Sequence, residues 1–287
     1  MPDDARTTDM SGNAAPDPQN PQNPQNSQNP QNSQTEADIV SEGARLVDLA
    51  TAAGLTMRLL GGVAVRLTSP SAAQPPLARG YGDLDFALSR KDGRAIRNVL
   101  ERAGYAGERR FNALHGDKRL LFVDEARDRK LDIFLGAFRM CHTLDLEGRL
   151  LSGLRTLTPS DLLLTKLQIV RLNTKDAQDA LAILADHALA DHSEASHEGD
   201  VIDVGYVANL CSHDWGWYTT VTDTLARVEQ IGAELGPSEA IARAAGRIAQ
   251  MRSALEQAPK SLSWRMRAAV GRKMAWYEEP EEIRQES

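Results

Sequence analysis

The chain has 287 residues, 41% hydrophobic and 25% charged, which allows one large domain or two modest ones and excludes collagen-like, coiled-coil and wholly disordered classes. Its formal charge of −7 argues against a general electrostatic grip on nucleic acid and leaves room only for a local basic groove. Cys141 and Cys211 match no zinc or disulfide spacing. No apolar run approaches the roughly 20 residues of a membrane span, and the N-terminus has neither the basic region nor the apolar core of an export signal. A cytoplasmic protein with no membrane partner is expected.

Residues 1–36 contain Pro2, Pro16, Pro18, Pro21, Pro24 and Pro30, the last four of them in a short Pro-Gln-Asn or Ser-Gln-Asn repeat. From Pro18 to Gln34 there is no aliphatic or aromatic side chain, so nothing offsets the entropy of ordering, and a disordered tail is expected. From Ala37, apolar residues recur at helical spacing up to Gly54, followed by a short strand over Leu55–Leu60 that Gly61-Gly62 ends. A second helix is expected from Val63, then a proline-broken loop over 69–76. In GYGDLDFAL the alternation of Leu84, Phe86 and Leu88 with Asp83, Asp85 and Ala87 predicts a half-buried strand.

Lys91–Ala103 suits an amphipathic helix stopped by Gly104, and 119–124 and 130–135 read as two strands joined by a charged turn. Thr158-Pro159-Ser160-Asp161 is a cap and start for one long helix to about Leu184. Residues 187–200, rich in His, Asp and Glu, read as a solvated linker, with His187, His192 and His197 on no regular scaffold. Three or so helices are expected beyond Val201, broken at Gly236-Pro237 and near Pro259. The expected organisation is a tail over 1–36, an α/β core over 37–150, a site-completing long helix over 151–186, a linker over 187–200 and an α-helical C-terminal domain over 201–287.

The chemistry concentrates in Gly82-Asp83-Leu84-Asp85-Phe86. Residues two apart on a strand share a face, so Asp83 and Asp85 are expected to project together, as carboxylates sharing a divalent ion do; an exposed strand face or a turn cap is the bland alternative. Asp132 interrupts the apolar KLDIFLG and needs a partner to be tolerated there. Gly61-Gly62, between a strand and a helix, leaves backbone N–H groups open to a phosphate, or forms an ordinary tight turn.

In this order, LLGGVAVRL at 59–67, ARGYGDLDFAL at 78–88 and LDIFL at 131–135 resemble the nucleotidyltransferase superfamily that includes DNA polymerase β. The likeness covers roughly residues 40–185 and is nearest in style to toxin-type (abortive-infection) and aminoglycoside-modifying minimal members. It implies a mixed sheet flanked by helices, with Asp83, Asp85 and Asp132 as catalytic and metal-holding acids and Mg²⁺, in a two-ion arrangement, as cofactor. It also implies a nucleotide site of Gly61, Gly62, Arg79 and Lys166. The reaction implied is nucleoside monophosphate transfer from a nucleoside triphosphate to a hydroxyl of tRNA, protein or a small molecule, with an antitoxin or other regulatory partner in the toxin branch. Many relatives have Gly-Ser at the first motif; Gly61-Gly62 is the toxin style. Asp176 and Asp179 match a further Lys-Asp pattern and read equally well as a solvated or salt-bridged helix face. A catalytically silent, nucleotide-binding or protein-interaction module is the alternative.

Trp215, Trp217 and Tyr218 suit base stacking or, more simply, core packing. The basic residues from Lys260 to Lys273 suit RNA phosphates or an ordinary charged surface.

Overall fold

The alternating segments become the central strands of a five-stranded mixed sheet in the computed structural model, which describes residues 34–150, 153–191 and 200–279. The strands are β1 (Met57–Leu60), β2 (Leu84–Leu88), β3 (Ala106–Gly107), β4 (Arg119–Asp124) and β5 (Arg129–Leu135), in the spatial order β1-β2-β5-β4-β3. Only β2 and β5 run parallel. Register places Leu84 beside Leu131, Phe86 beside Ile133 and Phe122 beside Leu131, so the central part of one sheet face is apolar and buried, with the buried Asp124 and Arg129 at its turn end. Helix α1 (Ile39–Ala52) packs there closely enough that Gly43 meets the side chains of Leu59 and Leu84. The opposite face carries Asp85, Ala87, Asp132, Phe134 and Arg119.

Helix α2 (Gly61–Thr68) leaves β1 directly, starting at the first glycine rather than at Val63. Helices α3 (Ala95–Arg102) and α4 (Arg109–His115) lie between β2 and β4 in the chain, and a short hairpin of β6 (Ala137–Arg139) and β7 (Thr143–Asp145) follows the sheet. The single long helix expected over 151–186 is two: α5 (Pro159–Leu167) and α6 (Thr174–Asp186). Thr158 caps α5 as expected, but Asn173 accepts from the Asp176 N–H and starts a second helix, an alternative its side chain offers against continuation.

Two further expectations change. Residues 1–33 lie outside the described residues, while Thr35 is docked: its hydroxyl donates to Asp124 at 2.6 Å and its carbonyl accepts from Arg127 at 2.8 Å. In the expected linker, β8 (Ala188–Ala190) pairs parallel with β9 (Val201–Asp203), and His187 is buried between the Ser69 hydroxyl at 3.2 Å and the Asp200 carbonyl at 3.1 Å. Burial holds the His187 imidazole below the usual histidine range. His192 and His197 lie outside the described residues.

Four helices follow: α7 (Val204–His213), α8 (Trp215–Leu235), α9 (Glu239–Gln257) and α10 (Leu262–Val270). Gly236, at φ +97°, ends α8 where a break was expected. Helix α6 packs against both α8 and α9, and one apolar cluster runs from Leu46 on α1 to Leu255 on α9. Among the described residues no helix is long and apolar enough to cross a membrane.

His142, in the β6–β7 turn, stacks on Trp217 of α8 with ring centres 4.9 Å apart, and its Nε2 lies 2.8 Å from the Thr220 hydroxyl. Burial, opposed by the charge of Asp214, pushes its pKa down to about 4. The unfolded imidazole titrates near 6.5, so between about pH 6.5 and 4 the unfolded chain takes up a proton that the folded chain refuses. Stability therefore falls as pH drops through that window, by about 3 kcal/mol at most. Urea unfolding at pH 7.5 and pH 5 is expected to show this loss in the wild type and a smaller one in His142→Gln.

Candidate active site

β2 and β5 are parallel neighbours in a register that sets Asp85 directly beside Asp132, with backbones about 4.8 Å apart. Both carboxylates rise from the same face and both are half-buried. Asp83 precedes β2 and is exposed, so the Asp-x-Asp pair straddles the strand end and does not lie wholly on the strand. Burial first, then the charge of Asp132 with Asp83 adding to it, raises the Asp85 pKa to about 7, against the opposing pull of Lys166 and Arg119. A carboxylate so placed binds a proton or another cation far more readily than one in water.

Gly61 lies against this group. Its φ is +69°, and a Cβ there would sit 2.1 Å from Asp85 Oδ2, so no other residue fits. A Cβ on Gly62 would sit 2.0 Å from Arg79 Nη2 and 3.0 Å from the Tyr81 ring. The glycine pair is thus the floor on which the 79–83 loop and the Asp85 carboxylate rest. Arg79 covers the Tyr81 ring at 4.3 Å, and the Tyr81 hydroxyl is buried with no hydrogen-bond partner among the described residues.

The two cations expected at the site are brought together by one acid. Arg79 grips Asp179 through two bonds of 2.9 and 2.7 Å, while Lys166 Nζ lies 2.9 Å from Asp179 and 2.7 Å from Asp176. Asp179 is 1% exposed and Lys166 7%, so the salt-bridged reading of this helix face holds, with Asp179 buried against both cations and Asp176 half-buried. Burial disfavours the charged Lys166, but Asp179 and Asp176 outweigh it and raise the Lys166 pKa. The same balance, with Asp179 as partner, raises Arg79.

Asp132 finds its partner in Arg119, a residue sequence reading missed. The Arg119 Nε donates to Asp132 at 2.6 Å, and Nη2 donates to the second carboxylate oxygen. The signal was present: pairing Asp124 with Arg129 across the charged turn puts Leu121 opposite Asp132, and Arg119 is then its diagonal neighbour on the same face. Arg119 also lies 4.8 Å from the Phe134 ring. With Asp132 turned to Arg119, no three His, Cys, Asp or Glu side chains converge as a metal cage among the described residues. The Asp83 and Asp85 carboxylates make no hydrogen bond or ion pair with any described residue.

Of the expected site, the structure brings Gly61, Asp85 and Asp132 together, sets Arg79 against Gly62, and joins Arg79 to Lys166 through Asp179. In comparisons with known proteins, no family model matches the chain and no curated protein matches its sequence.

Asp179 is the only acid shared by both cations among the described ion pairs, so Asp179→Ala leaves Arg79 and Lys166 buried without adequate counter-charge. A loss of about 3–5 kcal/mol is expected in urea unfolding. Adding Lys166→Met to that variant recovers part of it.

Proposed function

We propose that the chain is a nucleotidyltransferase of the DNA polymerase β-like superfamily, transferring a nucleoside monophosphate from a nucleoside triphosphate to an acceptor hydroxyl. The observation that carries this reading is the parallel register of Asp85 and Asp132, with Asp83 at the strand end and Gly61 moulded to the Asp85 carboxylate. A half-buried carboxylate beside a like charge, with no hydrogen bond or ion pair of its own as at Asp85, is a poor structural choice and a good cation site.

The donor set fits Mg²⁺. It is all carboxylate oxygen, and Asp85, its charged form disfavoured by burial and by Asp132, lacks a partner among the described residues. Asp83 and Asp85 would hold the ions, with Asp132 joining them on release from Arg119. Bound there, Mg²⁺ supplies charge neutralisation at the triphosphate and at the attacking oxygen.

The chain's own groups do the rest. Backbone N–H groups of Gly61 and Gly62, in the first turn of α2, bind phosphate oxygens. The Arg79, Lys166, Asp176 and Asp179 cluster is charge-balanced, so Lys166 reaches a phosphate by exchanging its bond to Asp176, the more exposed of its two partners. Asp132 accepts the proton of the acceptor hydroxyl. That oxygen bonds to the α-phosphorus, the bond from the α-phosphorus to the bridging oxygen breaks, and pyrophosphate leaves with its electron pair.

The bidentate hold of Arg119 on Asp132 favours one second reading, a catalytically silent nucleotide-binding or protein-interaction module in which the third acid stays neutralised. Label transfer from each α-³²P nucleoside triphosphate in whole-cell extract with Mg²⁺ separates the two. Label in RNA, protein or a small metabolite names the acceptor, and a toxin-type enzyme marks RNA or protein. Asp85→Asn and Asp83→Ala are each expected to reduce transfer at least a hundredfold. Unchanged transfer in either variant contradicts the assignment, and no label in any fraction selects the silent module.

A further inference from the structure

A cavity of about 560 Å³, lined by none of these carboxylates, lies between the β6–β7 turn and the ends of α7, α8 and α10. All four tryptophans of the chain line it: Trp215, Trp217, Trp264 and Trp276. Core packing accounts for Trp217, which is 3% exposed and stacked on His142. It does not account for the other three, whose indoles stay partly exposed on the cavity wall. Trp215 and Trp276 meet edge to face at 6.3 Å, and Trp264 meets Tyr218 at 5.3 Å. The Trp264 Nε1–H is buried and has no hydrogen-bond partner among the described residues.

The electrostatics of the wall select among the planar or cationic ligands that aromatic faces attract. Arg267 lies 4.7 Å over the Trp215 ring and is held by the carbonyls of Gly271, Met274 and Ala275 at 2.7, 2.9 and 3.1 Å. Its positive charge is therefore fixed at the cavity and has no carboxylate partner in those bonds. Of the basic residues of segment 260–274, Arg267 lines the cavity, while Arg272 lies 5.1 Å from the Trp276 ring and is paired with Asp223. Of the two lining acids, Asp214 caps α8 through the Gly216 and Trp217 N–H groups, and Glu278 is exposed. A cationic ligand meets a cation already seated on one ring. A planar ring bearing negative charge meets stacking faces and a fixed guanidinium.

We infer that this cavity binds an unpaired nucleobase that carries phosphate, as a site separate from the carboxylate centre. Its volume suits one nucleotide, and stacking on aromatic faces accepts any base. Such a ligand comes either as a free mononucleotide or as one unit of a single strand of nucleic acid.

Because every tryptophan lines the cavity, intrinsic fluorescence of the full chain reports on it directly. AMP and an eight-nucleotide oligoadenylate RNA are titrated without Mg²⁺ into the Asp85→Asn variant, which separates the result from the carboxylate centre. Saturable quenching is expected, weakened about tenfold by Trp276→Leu and by the milder Trp264→Phe, with circular dichroism and melting temperature preserved in Trp264→Phe. Octamer binding at least tenfold tighter than AMP identifies a strand as the ligand; equal binding identifies the free nucleotide. Absence of quenching by both up to millimolar concentration, affinity unchanged in both tryptophan variants, or quenching by tetramethylammonium instead overturns the inference. None of these outcomes bears on nucleotidyl transfer, which the Mg²⁺-dependent label assay tests alone.

Discussion

The parallel pairing of β2 with β5 forces two carboxylates side by side. Hydrophobic alternation leaves the register no freedom: sliding β5 by one residue would turn Leu131, Ile133 and Leu135 out of a buried face and bring Asp132 into it. The apolar face therefore dictates what happens on the other one. Asp85 and Asp132 meet because Phe86 and Ile133 must, and the cost of like charges in a half-buried place is imposed by the core.

The surroundings can be understood as responses to that cost. Arg119 neutralises Asp132 from the adjacent strand, while Asp85 keeps a raised pKa with Gly61 pressed against it. Lys166 and Arg119 lower that pKa through space without bonding the carboxylate. Around the 79–83 loop the balance is struck differently. Arg79 and Lys166 share Asp179, so the loop above the glycine pair is tied to α6 by ion pairs that exclude water. A ligand with more negative charge than Asp176 can enter this network by exchange, which is how a rigid fold keeps a cation available without leaving it bare.

Much of this was legible in the residues. Period-two alternation in LDFAL and KLDIFL located both central strands, and the interruption by Asp132 marked its need for a partner. Gly61-Gly62 was readable as a place of close approach, though not that the approaching atoms belong to Asp85 and Arg79, since contacts distant in sequence leave no periodic trace. Arg119 was missed because its role depends on a diagonal across a hairpin rather than on spacing along a strand. The single long helix expected over 151–186 failed at Asn173, where a local capping bond outweighed an apolar pattern that either one helix or two would satisfy. Likewise, the polar composition of 187–200 hid His187, whose burial depends on Ser69. The four tryptophans converge from three separate stretches of chain, so their common cavity could be seen only in the fold.

The claim at the centre of the account is that the Asp85 carboxylate is placed to hold a divalent cation with a nucleoside triphosphate. Mn²⁺ titration followed by electron paramagnetic resonance, at pH 8 with a non-hydrolysable triphosphate present, addresses it most directly. The account predicts saturable Mn²⁺ binding to the wild-type chain beyond that of the triphosphate alone, and its loss in Asp85→Asn while the fold is retained. Equal Mn²⁺ binding by the wild type and a folded Asp85→Asn variant would contradict it.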